Sequence, residues 1–256
     1  MKIEIINKEE IKNLFKNHGD FACVCYDTPD KFSEKVGKSC FKSGHISGSR
    51  CEYIKFKITD VDRGTCEQIL RHEVGVKVPI EYQDNYYFGD VVDINPSNIV
   101  KNMASFRYID KNGFTYTIPK NIEKCEKAKN EYKNIMNQIN ISRKKIKTLL
   151  EEDGVPPKKS TEDANFVLPR ATNNTLVIGF TVEALIHFMH KRLCTRAQDE
   201  IRKVAIEMRK AVIEIIPELS EHLVPHCEHL LWCPEGEMSC GAHPTKAEIL
   251  KKLKED

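Results

Sequence analysis

The chain has 256 residues, 40% hydrophobic and 30% charged, which is enough apolar material for one sizeable core. A formal net charge of +2 excludes recognition of nucleic acid or an anionic membrane by bulk charge, so any anion site must come from a local cluster. The charged N-terminus carries no apolar run of signal length, and nothing approaches the roughly 18 apolar residues of a membrane span. The expectation is a cytoplasmic protein with no membrane and no nucleic-acid partner. Ten cysteines in a reducing compartment then need an account other than disulfides: buried small side chains, metal ligands or reactive thiols.

Residues 3–16 read as a short strand and a polar helix, and residues 28–42 as a helix ending near Gly44. Ile54, Phe56 and Ile58 alternate with Lys55, Lys57 and Thr59, the period of a strand with one buried face. Asp62 suits the N-cap of a following helix that carries Cys66, Ile69 and Leu70. Residues 74–95 are extended or irregular, with Pro79, Gly89 and Pro96 as breakers. Residues 106–108 and 114–117 flank Asp110–Gly113 as a hairpin or long turn. A long helix is expected over 122–152, with Ile122, Cys125, Tyr132, Ile135, Ile139, Ile146 and Leu149 on one face. Residues 157–165 are polar and loop-like, and 175–180 form an apolar strand. Helices follow at about 182–193 and 195–215. The elements imply an α+β class, without strict βαβ alternation and without a glycine-rich phosphate loop. The expected organisation is an α+β domain over 1–220 and a Cys- and His-rich tail over 221–256.

Three stretches carry a resemblance. The first runs from Gly44-His45 through the strand to Gln68-Ile-Leu-Arg71-His72, and the second is Val167-Leu-Pro169. The third is Leu185-Ile-His-Phe188 followed by Lys191-Arg192-Leu-Cys-Thr-Arg-Ala-Gln198-Asp-Glu200-Ile-Arg202. In order and spacing these resemble the flavin-dependent thymidylate synthases over roughly residues 40–215. The resemblance implies a central mixed sheet flanked by helices with a long helical region, and a homotetramer with active sites between subunits. It implies reductive methylation of dUMP to dTMP by methylenetetrahydrofolate and NADPH through FAD. Every one of those ligands is anionic, so their site calls for arginine forks.

By that resemblance Arg192 is the catalytic candidate, supporting charge on the pyrimidine. Gln68, Arg71 and Arg192 are the candidates for substrate, and Ser47, Arg71, His72 and His187 for cofactor. The family signature, Arg-His-Arg with a serine further on, reads Arg71-His72-Glu73 here, and Glu81 falls at the serine. One carboxylate ~4 Å from an anion at an effective dielectric near 20 is unfavourable by roughly 4 kcal/mol before screening. Thr175, Thr181 and Glu183 also replace family contacts, and Arg50 stands where an acid is usual. Lys77 and Arg50 are the candidate compensating cations. The bland readings are a cation pair favoured at a helix C-terminus for Arg71 and His72, and a surface ion pair for Arg192.

In the tail, Cys227, Cys233 and Cys240 are spaced by five and six residues, with His226, His229 and His243 beside them. With Cys194 they would make a tetrahedral thiolate set for structural zinc. Unligated buried thiols are the alternative. Two rival functions stand beside the synthase: a paralogue acting on another pyrimidine nucleotide, and a non-catalytic binding or assembly module that has lost flavin.

Overall fold

The computed structural model describes residues 1–255 apart from Ser47, Ser49, Cys51, 72–76, 83–84 and 94–98; of 77–82, 85–93, 99 and 255 it describes the backbone. In chain order the elements are β1 (Lys2–Ile5), α1 (Lys8–Ile11), α2 (Leu14–Cys25), α3 (Ser33–Lys42), β2 (Tyr53–Asp62), α4 (Arg63–Leu70), β3 (Lys77–Tyr82), β4 (Asn85–Asp93) and β5 (Ile99–Met103). They continue with α5 (Lys120–Lys124), α6 (Glu126–Glu152), α7 (Pro157–Ala164), β6 (Asn173–Thr181), α8 (Val182–Arg192), α9 (Asp199–Ile213), α10 (His226–Leu230) and α11 (Lys246–Glu255). The α+β class is as expected. The sheet is not mixed: β1-β2-β6-β5 pair antiparallel throughout, and β3-β4 form a separate antiparallel pair.

The alternation in β2 builds the core. Ile54, Phe56 and Ile58 lie opposite Phe180, Ile178 and Leu176 of β6, and all six side chains are fully buried. Such directly opposed pairs are the unit of sheet stability, and each large apolar side chain taken from water contributes about 1.5–3 kcal/mol. Phe180 also meets Phe188 of α8 with ring centroids 5.2 Å apart. Together with Val204, Ala205 and Met208 of α9, these residues form one contiguous core. That packing fixes the β6–α8 corner and the connector 193–198 that leads into α9.

Four elements depart from the sequence reading, two of them for reasons visible in their hydrogen bonds. Residues 157–165 are mostly helix α7 rather than loop. Its inward face is Ser160, Thr161 and Ala164, and both hydroxyls donate to the Pro157 carbonyl at 3.0 and 2.8 Å, so polar residues bury without a lost hydrogen bond. Residues 106–117 turn without pairing as a hairpin. The segment is tied instead to buried Arg143, which donates to Asp110 and Asn165, while Asn165 donates to the Phe106 and Ile109 carbonyls. The long helix breaks at Cys125, which is extended, and the helix at 195–215 begins only at Asp199. Ile135, Ile141 and Leu149 of α6 remain exposed, so part of the apolar surface of α6 has no cover within the chain. No helix among the described residues is long and apolar enough to cross a membrane.

Candidate functional site

The N-terminus of α4 forms where Asp62 accepts hydrogen bonds from the Thr65 amide and hydroxyl, both at 2.8 Å. Its far end carries Gln68 and, at the C-cap, exposed Arg71. Gln68 donates to the Gln198 side chain at 2.5 Å, and Gln198 donates to Glu200 at 2.7 Å. One substrate candidate is thus tied to the start of α9.

The other end of the connector is Arg192, the last residue of α8. Its guanidinium is half-buried, Nε is shielded from solvent without a hydrogen-bond partner, and desolvation lowers its pKa. A partly desolvated cation with one unsatisfied donor is costly, and an anion or ring oxygen entering beside it would recover that cost. Arg192 lines a cavity of about 380 Å³ with Lys191, Arg196 and Arg202. Arg202 braces the connector by donating to the Leu193 carbonyl at 3.0 Å. The cavity is therefore cationic on one wall, which suits an anionic ligand.

The C-terminal segment lines the same cavity and adds two carboxylates, Glu228 and Glu235. It brings His226, Cys227, Cys233, Cys240 and His243 to the same cavity as Cys194. All four candidate zinc ligands share it, yet among the described residues no group of three or more His, Cys, Asp and Glu side chains is disposed to hold a metal. Burial, with Cys194 and Cys233 nearby, pushes the Cys227 thiol up. The exposed Cys240 thiol is lowered by its hydrogen bond to Thr195. His190, which the sequence did not single out, joins the cavity and stacks on His226 and His229 with centroids 5.2 and 4.7 Å away. Burial, then His229 and His226, pulls His190 down to about 4, so it is neutral at pH 7.

The cofactor candidates divide. Ser47 and His72 lie outside the described residues, as does Glu73; Glu81 sits in β3, and its side chain and that of Lys77 lie outside them too. His187 is exposed on α8, and partial desolvation, then Lys191 and His226, lowers its pKa. Thr181 is buried and caps α8, accepting from the Ala184 amide at 3.3 Å. Arg50 is not free to act as a compensating cation: it grips Glu183 at 2.5 and 3.1 Å. The sequence offered no sign of that pair, because its members are 133 residues apart.

The chain matches the family described as Thymidylate synthase complementing protein over residues 15–218. It is 34% identical to a flavin-dependent thymidylate synthase of Nitratidesulfovibrio vulgaris over 212 residues, 82% of this chain and 77% of the relative. A protein of the same name from Clostridium tetani is 29% identical over 99% of this chain and 97% of its own length. That from Geobacter sulfurreducens is 29% identical over 91% and 89%. The chain belongs to the thymidylate synthase complementing protein family, that of the flavin-dependent thymidylate synthases.

Proposed function

We propose that this chain is a thymidylate synthase of the flavin-dependent type that binds a pyrimidine nucleotide, dUMP, against Arg192. One observation carries the reading: Arg192 is a half-buried guanidinium whose Nε has no partner, on the cationic wall of a cavity. A ring oxygen or phosphate there would accept charge-assisted hydrogen bonds, and a pyrimidine gaining negative charge at the methylation step would be stabilised further. Gln68, held by Gln198, would orient the nucleotide, and Arg71 would meet its phosphate. The co-reactants by family are methylenetetrahydrofolate, NADPH and FAD. The assembly would be a cytoplasmic homotetramer, for which the exposed apolar side chains of α6 supply a docking surface.

The flavin positions that can be described do not fit a pyrophosphate as they stand. Thr181 is committed to its helix cap, and Glu183 presents a carboxylate already matched by Arg50. Arg71, the one arginine among the described cofactor candidates, is assigned here to the nucleotide phosphate, so no step is derived through the flavin. The expected behaviour is weak flavin retention with dUMP binding preserved. The test is dTMP formation from dUMP, methylenetetrahydrofolate and NADPH with and without added FAD, beside an assay of flavin in the purified protein. Product that depends on added FAD supports the reading. Absence of dTMP at saturating FAD, with the chain folded, overturns it.

A further inference from the structure

Among the described residues, six buried side-chain atoms lack a hydrogen-bond partner. Three of them belong to residues lining the Arg192 cavity: His190 Nε2, Arg192 Nε and His226 Nδ1. Buried polar atoms are seldom left unpaired, so their pattern indicates what a ligand must supply. Arg192 Nε carries a hydrogen and can only donate. The role of His190 Nε2 depends on which nitrogen of the ring holds the proton.

Two observations fix that proton. His190 hydrogen-bonds to the His222 backbone, and since Nε2 has no partner, Nδ1 makes this bond by donating to the carbonyl. The ring is neutral at pH 7, because burial and then His229 and His226 pull it down to about 4. A neutral imidazole has one N–H, here given to His222, so Nε2 is a bare lone pair. Stacking on His226 and His229, with centroids 5.2 and 4.7 Å away, holds the ring in place. His226 Nδ1 has no partner to fix its own tautomer and sets no rule.

The cavity thus offers one donor and one acceptor. A phosphate oxygen on Nε2 would bring lone pair against lone pair, so the group that fits here is not the phosphate. An oxopyrimidine edge has both complements: a ring oxygen that accepts and, beside it, an N3–H that donates. We propose that His190 is a specificity-determining residue for the nucleotide, its Nε2 accepting the N3–H of a uracil ring whose adjacent oxygen takes the Arg192 Nε–H. This rests on the nucleotide reading above and names the part of the ligand that meets this wall. Cytosine has a bare N3 in that place and an amino group instead of O4. Whichever oxygen Arg192 takes, cytosine N3 would face the Nε2 lone pair. A wrong base edge of this kind costs roughly 10- to 100-fold in affinity.

The test is calorimetric titration of dUMP, dCMP and N3-methyl-dUMP into the full-length chain, repeated with His190→Leu. The parent chain should bind dUMP roughly 10- to 100-fold more tightly than either analogue. In His190→Leu that preference should largely disappear, because the acceptor is gone. The analogue series on the unmodified chain decides the matter even where His190→Leu fails to fold. Binding of dUMP without preference over either analogue, or a preference that survives intact in folded His190→Leu, overturns the role of His190 and leaves the nucleotide reading standing. A folded parent chain that binds none of the three removes the nucleotide reading, and this inference with it.

Discussion

Arg50 and Glu183 face each other across the start of α8, Nε to Oε2 at 2.5 Å and Nη2 to Oε1 at 3.1 Å. Glu183 lies in the first turn of α8, where the helix dipole favours an anion, and the pair raises the Arg50 pKa. The anion position at this helix is therefore filled from within. Replacing Glu183 by Gln should release Arg50 to an incoming pyrophosphate and tighten FAD binding about tenfold, roughly 1.4 kcal/mol. Quenching of FAD fluorescence measures it, and an unchanged affinity would take the pair out of the flavin path.

Arg192 should show opposite effects on binding and stability. Arg192→Met removes a desolvated guanidinium and should raise folding stability by about 1 kcal/mol, while weakening dUMP binding roughly 10- to 100-fold. Arg192→Lys should not restore affinity, because an ammonium lacks the planar fork. Urea unfolding and dUMP titration on the same samples check both. A variant that loses stability and affinity together would mark Arg192 as structural.

The Asp62 cap is a stability element close to the candidate site. Asp62→Ala leaves the Thr65 amide and hydroxyl without their acceptor and should destabilise the fold by about 1–2 kcal/mol. Asp62→Asn should recover part of that loss. Urea midpoints of the two variants distinguish a lost cap from a lost charge.

Asp110 joins Lys147 and buried Arg143, and the Lys147 hydrogen bond, with Arg143 adding, holds its carboxyl below the usual range. Its folded pKa is depressed, so its stabilising effect is present above the unfolded value of about 3.9 and lost as pH falls through the folded value. Asp110→Asn should cost about 1–2 kcal/mol at pH 7, since Asp110 is partly solvated, and the difference from the parent chain should vanish in strong acid. Stability curves from pH 7 down to about 2 test the sign.

What the sequence made legible was local. The β2 alternation and the Asp62 cap are periodic or adjacent signals, and both appear in the fold. Helix α7 was hidden because its buried face is small and polar, satisfied by its own backbone rather than by apolar contact. The turn at 106–117 was misread because a buried arginine 33 residues beyond Asp110 decides its path. At the site, Arg192 and the four cysteines stood out by type and spacing, but their meeting in one cavity depends on how the C-terminal segment folds back. The Arg50–Glu183 pair and the place of His190 in the cavity are tertiary, so residue type alone gave no sign of them.

The most direct test of the central claim is calorimetric titration of dUMP into the full-length chain, with Arg192→Ala measured alongside. Saturable binding to the parent chain at micromolar to millimolar concentration, about 4–8 kcal/mol, is expected. It should be lost in Arg192→Ala and should not need FAD. A folded parent chain that does not bind dUMP, or an Arg192→Ala variant that binds it undiminished, would contradict the account.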